Sequence, residues 1–280
     1  MGGPMAGHLV RAGHRVTVFN RSATKASAWL QTYPQGRLAA TPAQAAIDAD
    51  LVLACVGNDD DVRAIALGDH GAFSGMSAQA IFVDHTTASA KLARDLSVEA
   101  EQRGLHFMDA PVSGGQIGAQ NGQLTIMCGA DLDVFERAAP ILSHYAKAVT
   151  RVGPVGNGQL AKMVNQICIA GLLESLSEAI HFGEKAGLDM KQVLQVISQG
   201  AAQSWQMQNR GSTMVDGAFD FGFAVEWMRK DLSICLDEAS RNGAPLPTTA
   251  QIKGFYDEVQ DMGGARWDTS SLIVRLRKQP

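Results

Sequence analysis

A single amine on a helix and a glycine loop some fifty residues before it are the groups best suited to chemistry in this chain. Lys162 sits in Gly158-Gln159-Leu160-Ala161-Lys162-Met163-Val164-Asn165-Gln166, with apolar neighbours on the helix it predicts. A lysine whose pKa is lowered by burial can hand a proton to a carbonyl oxygen near neutrality and take it back in reverse. Spacing alone would leave Lys162 on a solvated face. Positions three and four after it return to the same face, so Asn165 and Gln166 are its companions there. The earlier segment, Asp109-Ala110-Pro111-Val112-Ser113-Gly114-Gly115, offers a different tool. Ser113, Gly114 and Gly115 can present successive backbone N–H groups and a hydroxyl to a carboxylate.

A third group of residues follows the first predicted strand. Asn20-Arg21-Ser22-Ala23-Thr24-Lys25 places two cations and a hydroxyl where a dinucleotide's ribose would lie. A site for free ribose hydroxyls usually puts an acidic residue there, whereas a 2′-phosphate needs cations and donors. Asn20, Arg21, Ser22 and Lys25 therefore point to NADP, with NAD a possible second cofactor. Gly2 belongs to a glycine turn of the kind that lets backbone approach a pyrophosphate. Alone it is a weak signal.

Together the Asp109–Gly115 segment, its continuation through Gly118, Gly122 and Leu124-Thr125-Ile126-Met127, and the Gly158–Gln166 segment resemble the β-hydroxyacid dehydrogenases. That family includes 3-hydroxyisobutyrate dehydrogenase and the tartronate, glyoxylate and succinic semialdehyde reductases. The resemblance implies that Lys162 is the catalytic acid and base, with Asn165 orienting the substrate. It implies that Ser113, Gly114 and Gly115 hold the substrate carboxylate. Many relatives carry Lys-x-x-Asn-Asn, so Gln166, one methylene longer, is expected to fill the second amide's role at the substrate. By the same resemblance Val56 covers the cofactor and Thr87 touches its ribose or the substrate. Phe223, Lys230 and Asp231 complete the set, since Lys230-Asp231-Leu232 resembles an element whose lysine reaches the cofactor and whose aspartate lies at the site edge. The implied activity is an NADPH-preferring reductase of short semialdehydes or 2-oxo acids, reversible as a hydroxyacid dehydrogenase. The implied assembly is a homodimer or homotetramer.

Two rival readings follow from particular residues. An imine reductase shares this architecture, but those enzymes usually replace the lysine found here at Lys162. A catalytically impaired dinucleotide-binding protein is the other. Its basis is the start of the chain, which begins inside the glycine turn, so that a first strand and two of three glycines are expected to be missing. A start assigned too late is the expected explanation.

His14 to Asn20 alternates and is rich in β-branched residues, so it predicts a strand. Leu51 to Val56 and Ala80 to Asp84 are short apolar runs, the pattern of strands covered on both faces. Helices are predicted between them over Ala23 to Gln31 and Ala88 to Arg103. This alternation implies an α/β, doubly wound Rossmann-type domain over residues 1–153. Further strands are predicted at His106 to Asp109, Leu124 to Cys128 and Ala146 to Val152, around a helix from Asp131 to His144. Beyond that, an all-helical domain over 154–280 is expected, entered by one long helix from about 159 to 186. Breaks are expected near Gly211, from Gly243 to Pro247, and at Gly263-Gly264.

Composition limits the alternatives. The 280 residues carry a formal net charge of −4 and no basic stripe, which argues against nucleic acid as a partner. The four cysteines are widely separated among apolar residues, and the seven histidines form no ligand pair, so no metal is assigned. The longest apolar stretch, Ile167 to Leu173, falls far short of the roughly 18 residues of a membrane helix. No leader-like segment opens the chain. A cytoplasmic enzyme acting on a small carboxylate-bearing aldehyde or hydroxy acid is the resulting expectation.

Overall fold

Apolar residues spaced along the first dozen positions form α1 (Gly2–Arg11) in a computed structural model that describes residues 1–278. There follow β1 (Thr17–Val18), α2 (Ala23–Thr32), β2 (Arg37–Leu38), α3 (Pro42–Ala46), β3 (Leu51–Ala54), α4 (Asp59–Leu67), β4 (Ile81–Asp84) and α5 (Ala90–Glu101). Next come β5 (His106–Asp109), β6 (Val112–Ser113), α6 (Gly115–Gln120), β7 (Leu124–Gly129), α7 (Leu132–Leu142) and β8 (Ala146–Gly153). The strand predicted over His14 to Asn20 is present as two residues. It pairs with β2 along one edge, and among the described residues no strand lies on the other.

β3, β4 and β5 are parallel and in register from Leu51, Ile81 and His106. β7 then runs antiparallel to β5, with β6 antiparallel and β8 parallel to β7. Alternation along β4 sends Ile81 and Val83 to one face and Phe82 to the other. The first face packs with Met5, Leu9, Leu124, Ile126 and Leu142, the second with Val62, Leu92, Leu96 and Phe107. Both faces are thus covered, as the continuous apolar runs require. The result is a doubly wound, Rossmann-type unit that ends at Lys162.

A second compact unit begins at Met163. The helix α8 (Asn157–Lys185) carries the chain from one into the other without a break. Its observed ends differ by a residue or two from those predicted, as helix ends commonly do. α9 (Met190–Ile197), α10 (Trp205–Asp216), α11 (Val225–Asn242), α12 (Pro247–Val259) and α13 (Leu272–Arg277) complete an all-helical unit. Asp189 and Ser204 cap α9 and α10 with their side chains. Gly243, at φ 77°, ends α11, and Pro247 opens α12. Gly263, at φ 87°, interrupts the turn that follows α12.

Gly211 breaks nothing. It lies inside α10, where a Cβ would come within 3.0 Å of the Leu194 side chain, so its lack of a side chain serves close packing against α9. The helix continues to Gly217 at φ 71°. Leu173, Val225, Leu232 and Tyr256 form one core of this unit, and Ile180, Leu194, Met207 and Met214 another. No helix among the described residues is long and apolar enough to cross a membrane.

Candidate active site

Six of the predicted cofactor residues surround one cavity of about 1500 Å³ in the first unit: Gly2, Asn20, Arg21, Ser22, Lys25 and Val56. α1 opens with Gly2 packed beside Cys55, where a Cβ on the glycine would lie 3.5 Å from that of the cysteine. The Gly3 carbonyl accepts from the Trp29 indole at 2.9 Å, which ties α1 to α2. After β1 the Asn20 side chain accepts from the Ser22 N–H at 2.8 Å and shapes the turn. Ser22 stands at the N-cap of α2 without a side-chain cap bond. Arg21 is 89% exposed and reaches Asp61 at 3.4 Å, an exposed pair of little energetic weight. Backbone N–H groups at a helix start, a hydroxyl and two cations make a donor set suited to a phosphate-bearing nucleotide.

The Val56 N–H donates to Thr86 Oγ1 at 3.0 Å, joining the ends of β3 and β4. Thr87, next in the chain, is partly exposed and does not line the cavity. Ser113, Gly114 and Gly115 likewise lie outside it, at the end of β6. Gly114 and Gly115 have φ of 125° and 62°, conformations that side chains disfavour, which is why glycine occupies both. The two residues are exposed and Ser113 half-buried, so the loop is open to a ligand.

Lys162 is buried, one turn into α8, and the structure shows what fixes that turn. Asp109, at the end of β5, accepts from the N–H of Gly156 at 2.7 Å and of Gln159 at 2.8 Å. Burial pushes its carboxyl up to about 6, and those N–H bonds hold it from going higher. The Gln159 side chain donates to the Thr86 carbonyl at 2.7 Å and accepts from the Ala88 N–H at 3.0 Å. A Cβ on Gly158 would meet the Met127 carbonyl at 2.5 Å, so the helix start packs backbone to backbone. Asp109 and Gln159 lie in the two motif segments and Thr86 follows a predicted strand, but the sequence assigns none of them this tethering role. Each acts across a separation that local pattern does not register.

In the second unit four predicted residues are linked by two hydrogen bonds and an ion pair. Asn165 Nδ2 donates to Gln166 Oε1 at 2.8 Å, and Gln166 Nε2 donates to Asp231 Oδ2 at 2.7 Å. Lys230 Nζ lies 3.0 Å from Asp231 Oδ1. Gln166 and Asp231 are buried, while Asn165 and Lys230 are half-buried. Phe223 belongs to a different arrangement. Its N–H donates to the buried Asp268 at 2.9 Å, and Asp268 also accepts from Arg210 at 3.1 Å and from the Ser270 hydroxyl at 2.6 Å.

Comparison with known proteins agrees over both units. Residues 1–153 match the NAD binding domain of 6-phosphogluconate dehydrogenase, and residues 156–276 match the NAD-binding domain of NADP-dependent 3-hydroxyisobutyrate dehydrogenase. An uncharacterized oxidoreductase of Shewanella frigidimarina is 57% identical, over 99% of this chain and 95% of that relative. The 2-hydroxy-3-oxopropionate reductase of Escherichia coli is 33% identical over 99% and 94%. The solved structure of Mycobacterium tuberculosis 3-hydroxyisobutyrate dehydrogenase with L-serine superposes with a TM-score of 0.89 at 29% identity, covering 99% of this chain and 96% of that one.

Proposed function

Because the chain belongs to the β-hydroxyacid dehydrogenase family of NAD(P)-dependent oxidoreductases, we propose that it is an NADPH-preferring reductase of short carboxylate-bearing aldehydes or 2-oxo acids. In reverse it oxidises the corresponding hydroxy acids. The observation that carries this reading is the buried Lys162 at the start of α8, whose first turn is fixed by Asp109 and Gln159. When bound, the nicotinamide supplies or accepts the hydride. The protein's own groups do the rest. Ser113 and the N–H groups of Gly114 and Gly115 bind the substrate carboxylate. The Lys162 amine delivers a proton to the carbonyl oxygen and recovers it in the oxidation direction. Asn165 orients the substrate, and Gln166 with Asp231 holds the Asn165 amide in place.

NADPH preference rests on the Asn20–Lys25 turn, where Arg21, Ser22 and Lys25 suit a ribose phosphate and no acidic side chain stands at the end of β1. Val56 covers the cofactor, Thr87 touches its ribose, and Gly2 opens the helix that receives its pyrophosphate. By the family's pattern Lys230 is assigned to the cofactor, and Asp231 and Phe223 to the substrate. The substrate class is supported by two relatives. The E. coli relative is named for a three-carbon semialdehyde acid, and the M. tuberculosis structure holds L-serine, a three-carbon β-hydroxy acid.

The test is oxidation of NADPH, with NADH in parallel, against glyoxylate and succinic, methylmalonic and tartronic semialdehydes. Turnover faster with NADPH on at least one of them is expected. Lys162→Ala should lower kcat by about a thousandfold while NADPH affinity, read by fluorescence titration, stays within a fewfold. Comparable turnover by wild type and variant would refute the role of Lys162.

A further inference from the structure

We propose that His8 is a positioning residue for the substrate: its imidazole fastens the far end of α6 and so holds in shape the loop of Ser113, Gly114 and Gly115. The inference rests on the reading of that loop as the seat of the substrate carboxylate. His8 Nε2 lies 3.0 Å from the carbonyl oxygen of Ala119 and 3.0 Å from that of Gln120. A carbonyl oxygen only accepts, so Nε2 carries a proton and donates to both. The bonds cross 111 and 112 residues, from α1 to the last turn of α6.

The end of α6 needs this partner. The last carbonyls of a helix have no donor inside it. The chain beyond α6 supplies two, as the Asn121 N–H donates to Ile117 at 3.0 Å and the Gln123 N–H to Gly118 at 2.8 Å. The Ala119 carbonyl receives only a long contact of 3.4 Å from the Gly122 N–H, and no backbone N–H among the described residues reaches the Gln120 carbonyl. Those two are the carbonyls that His8 serves. Gly122, at φ 66°, leaves room for the ring, since a Cβ there would lie 3.3 Å from His8 Cε1.

With six residues, α6 is too short to keep its shape by its own bonds. It begins at Gly115, so slack at Gln120 reaches the loop directly. Before the loop, Val112 and Ser113 are held by pairing with Ile126 and Thr125. Ala119 packs in one core with Met5, Leu9 and Leu124, and His8 closes the remaining end. A cradle of N–H groups already in place binds a carboxylate without the cost of ordering it. The carboxylate keeps its charge throughout the reduction, so its contacts are equal in ground and transition states. Their loss raises KM and leaves kcat.

The experiment compares the wild-type chain with His8→Leu and with His8→Gln, whose amide can donate to the same two carbonyls. Each is assayed with NADPH on glyoxylate and acetaldehyde, and on succinic semialdehyde and butanal, pairs in which a methyl group replaces the carboxylate. His8→Leu should raise KM for the two acids about tenfold, with kcat unchanged within twofold. On the two neutral aldehydes its kcat/KM should match wild type. Hydrogen exchange in the segment 114–123 should quicken roughly tenfold in His8→Leu, while β4 exchanges as in wild type and so reports an intact fold. His8→Gln should restore both readouts. His8 is half-buried, so the leucine replaces it without opening the core of Met5 and Leu9. An unchanged KM for the acids, an equal loss on acids and neutral aldehydes, unaltered exchange in 114–123, or a glutamine variant as impaired as the leucine would overturn the proposal. A wild type inactive on every acid would overturn the reductase reading and this role with it, whereas an active wild type matched by His8→Leu overturns this role alone.

Discussion

Asp84, His85 and Asp109 sit within one short stretch of buried sheet end, and their ionisation pulls stability in opposite directions. Burial raises the Asp84 carboxyl to about 7 and that of Asp109 to about 6. From about pH 4 upward the unfolded chain loses protons that these carboxyls keep, so each makes the fold less stable as pH rises toward its folded value. Burial lowers the His85 imidazole to about 4, where it bonds to the Ala110 carbonyl and the Tyr145 hydroxyl. The folded chain then holds a neutral ring while the unfolded chain still binds a proton, so His85 makes stability rise between about pH 4 and 6.5. In the wild type these terms oppose one another. Asp84→Asn removes the largest falling term, and its stability relative to wild type should climb by up to about 4 kcal/mol between pH 4 and 7. Urea unfolding of both proteins across that range checks this. Parallel profiles would show that Asp84 is not protonated in the fold. At the same scale, the extra methylene of Gln166 is legible in sequence, but its contact with Asp231 is not.

At the scale of elements, the start of α8 depends on a few non-local bonds. Gln159 bonds to two backbone groups of the segment that follows β4, one through its N–H₂ and one through its oxygen. Gln159→Leu keeps the approximate volume but leaves the Thr86 carbonyl and the Ala88 N–H without their partner in a buried setting. The cost should be about 2–4 kcal/mol, seen as a lower midpoint in urea. A fall in kcat at nearly constant NADPH affinity should accompany it, because the helix turn that carries Lys162 loses its tether. A kcat equal to wild type would separate the tether from the chemistry. The bonds at this helix start span 47 to 73 residues, which explains their absence from any reading of local pattern. Most strands were legible because continuous apolar runs such as Leu51–Ala54 and Ile81–Asp84 have no helical period. β2 and β6 are not, since neither two-residue strand lies in a longer alternating run of the kind that marks β1. α4 was hidden by Gly57-Asn58, which reads as a turn but caps the helix, with the Asn58 side chain accepting from the Asp61 N–H at 2.9 Å. The glycine loop and Lys162 stand out only as a combination of motifs, since spacing alone leaves each of them ordinary.

For the whole molecule, the surface of α8 raises the question of assembly. Val164, Cys168 and Leu172 recur every four residues, so they lie along one face, and all three are exposed, Val164 at 62% and Leu172 at 45%. A run of apolar side chains on one helix face is unusual for a surface that stays in water. We therefore propose that the chain forms a homodimer or homotetramer with this face covered. Light scattering after size exclusion should then give two or four times the chain mass of 29.7 kDa. Leu172→Glu places a charge within the stripe, where covering it without a partner is costly, and should shift the mass toward that of one chain. Leu172 is exposed in the single chain, so the substitution leaves the chain's own core intact and a loss of assembly is not explained by unfolding. Circular dichroism of the variant supplies that control. A wild type that already runs at 29.7 kDa would mean that the stripe faces solvent. An oligomer that survives Leu172→Glu would place the interface on another surface, with Phe182, 73% exposed at the far end of the same helix, the next position to change.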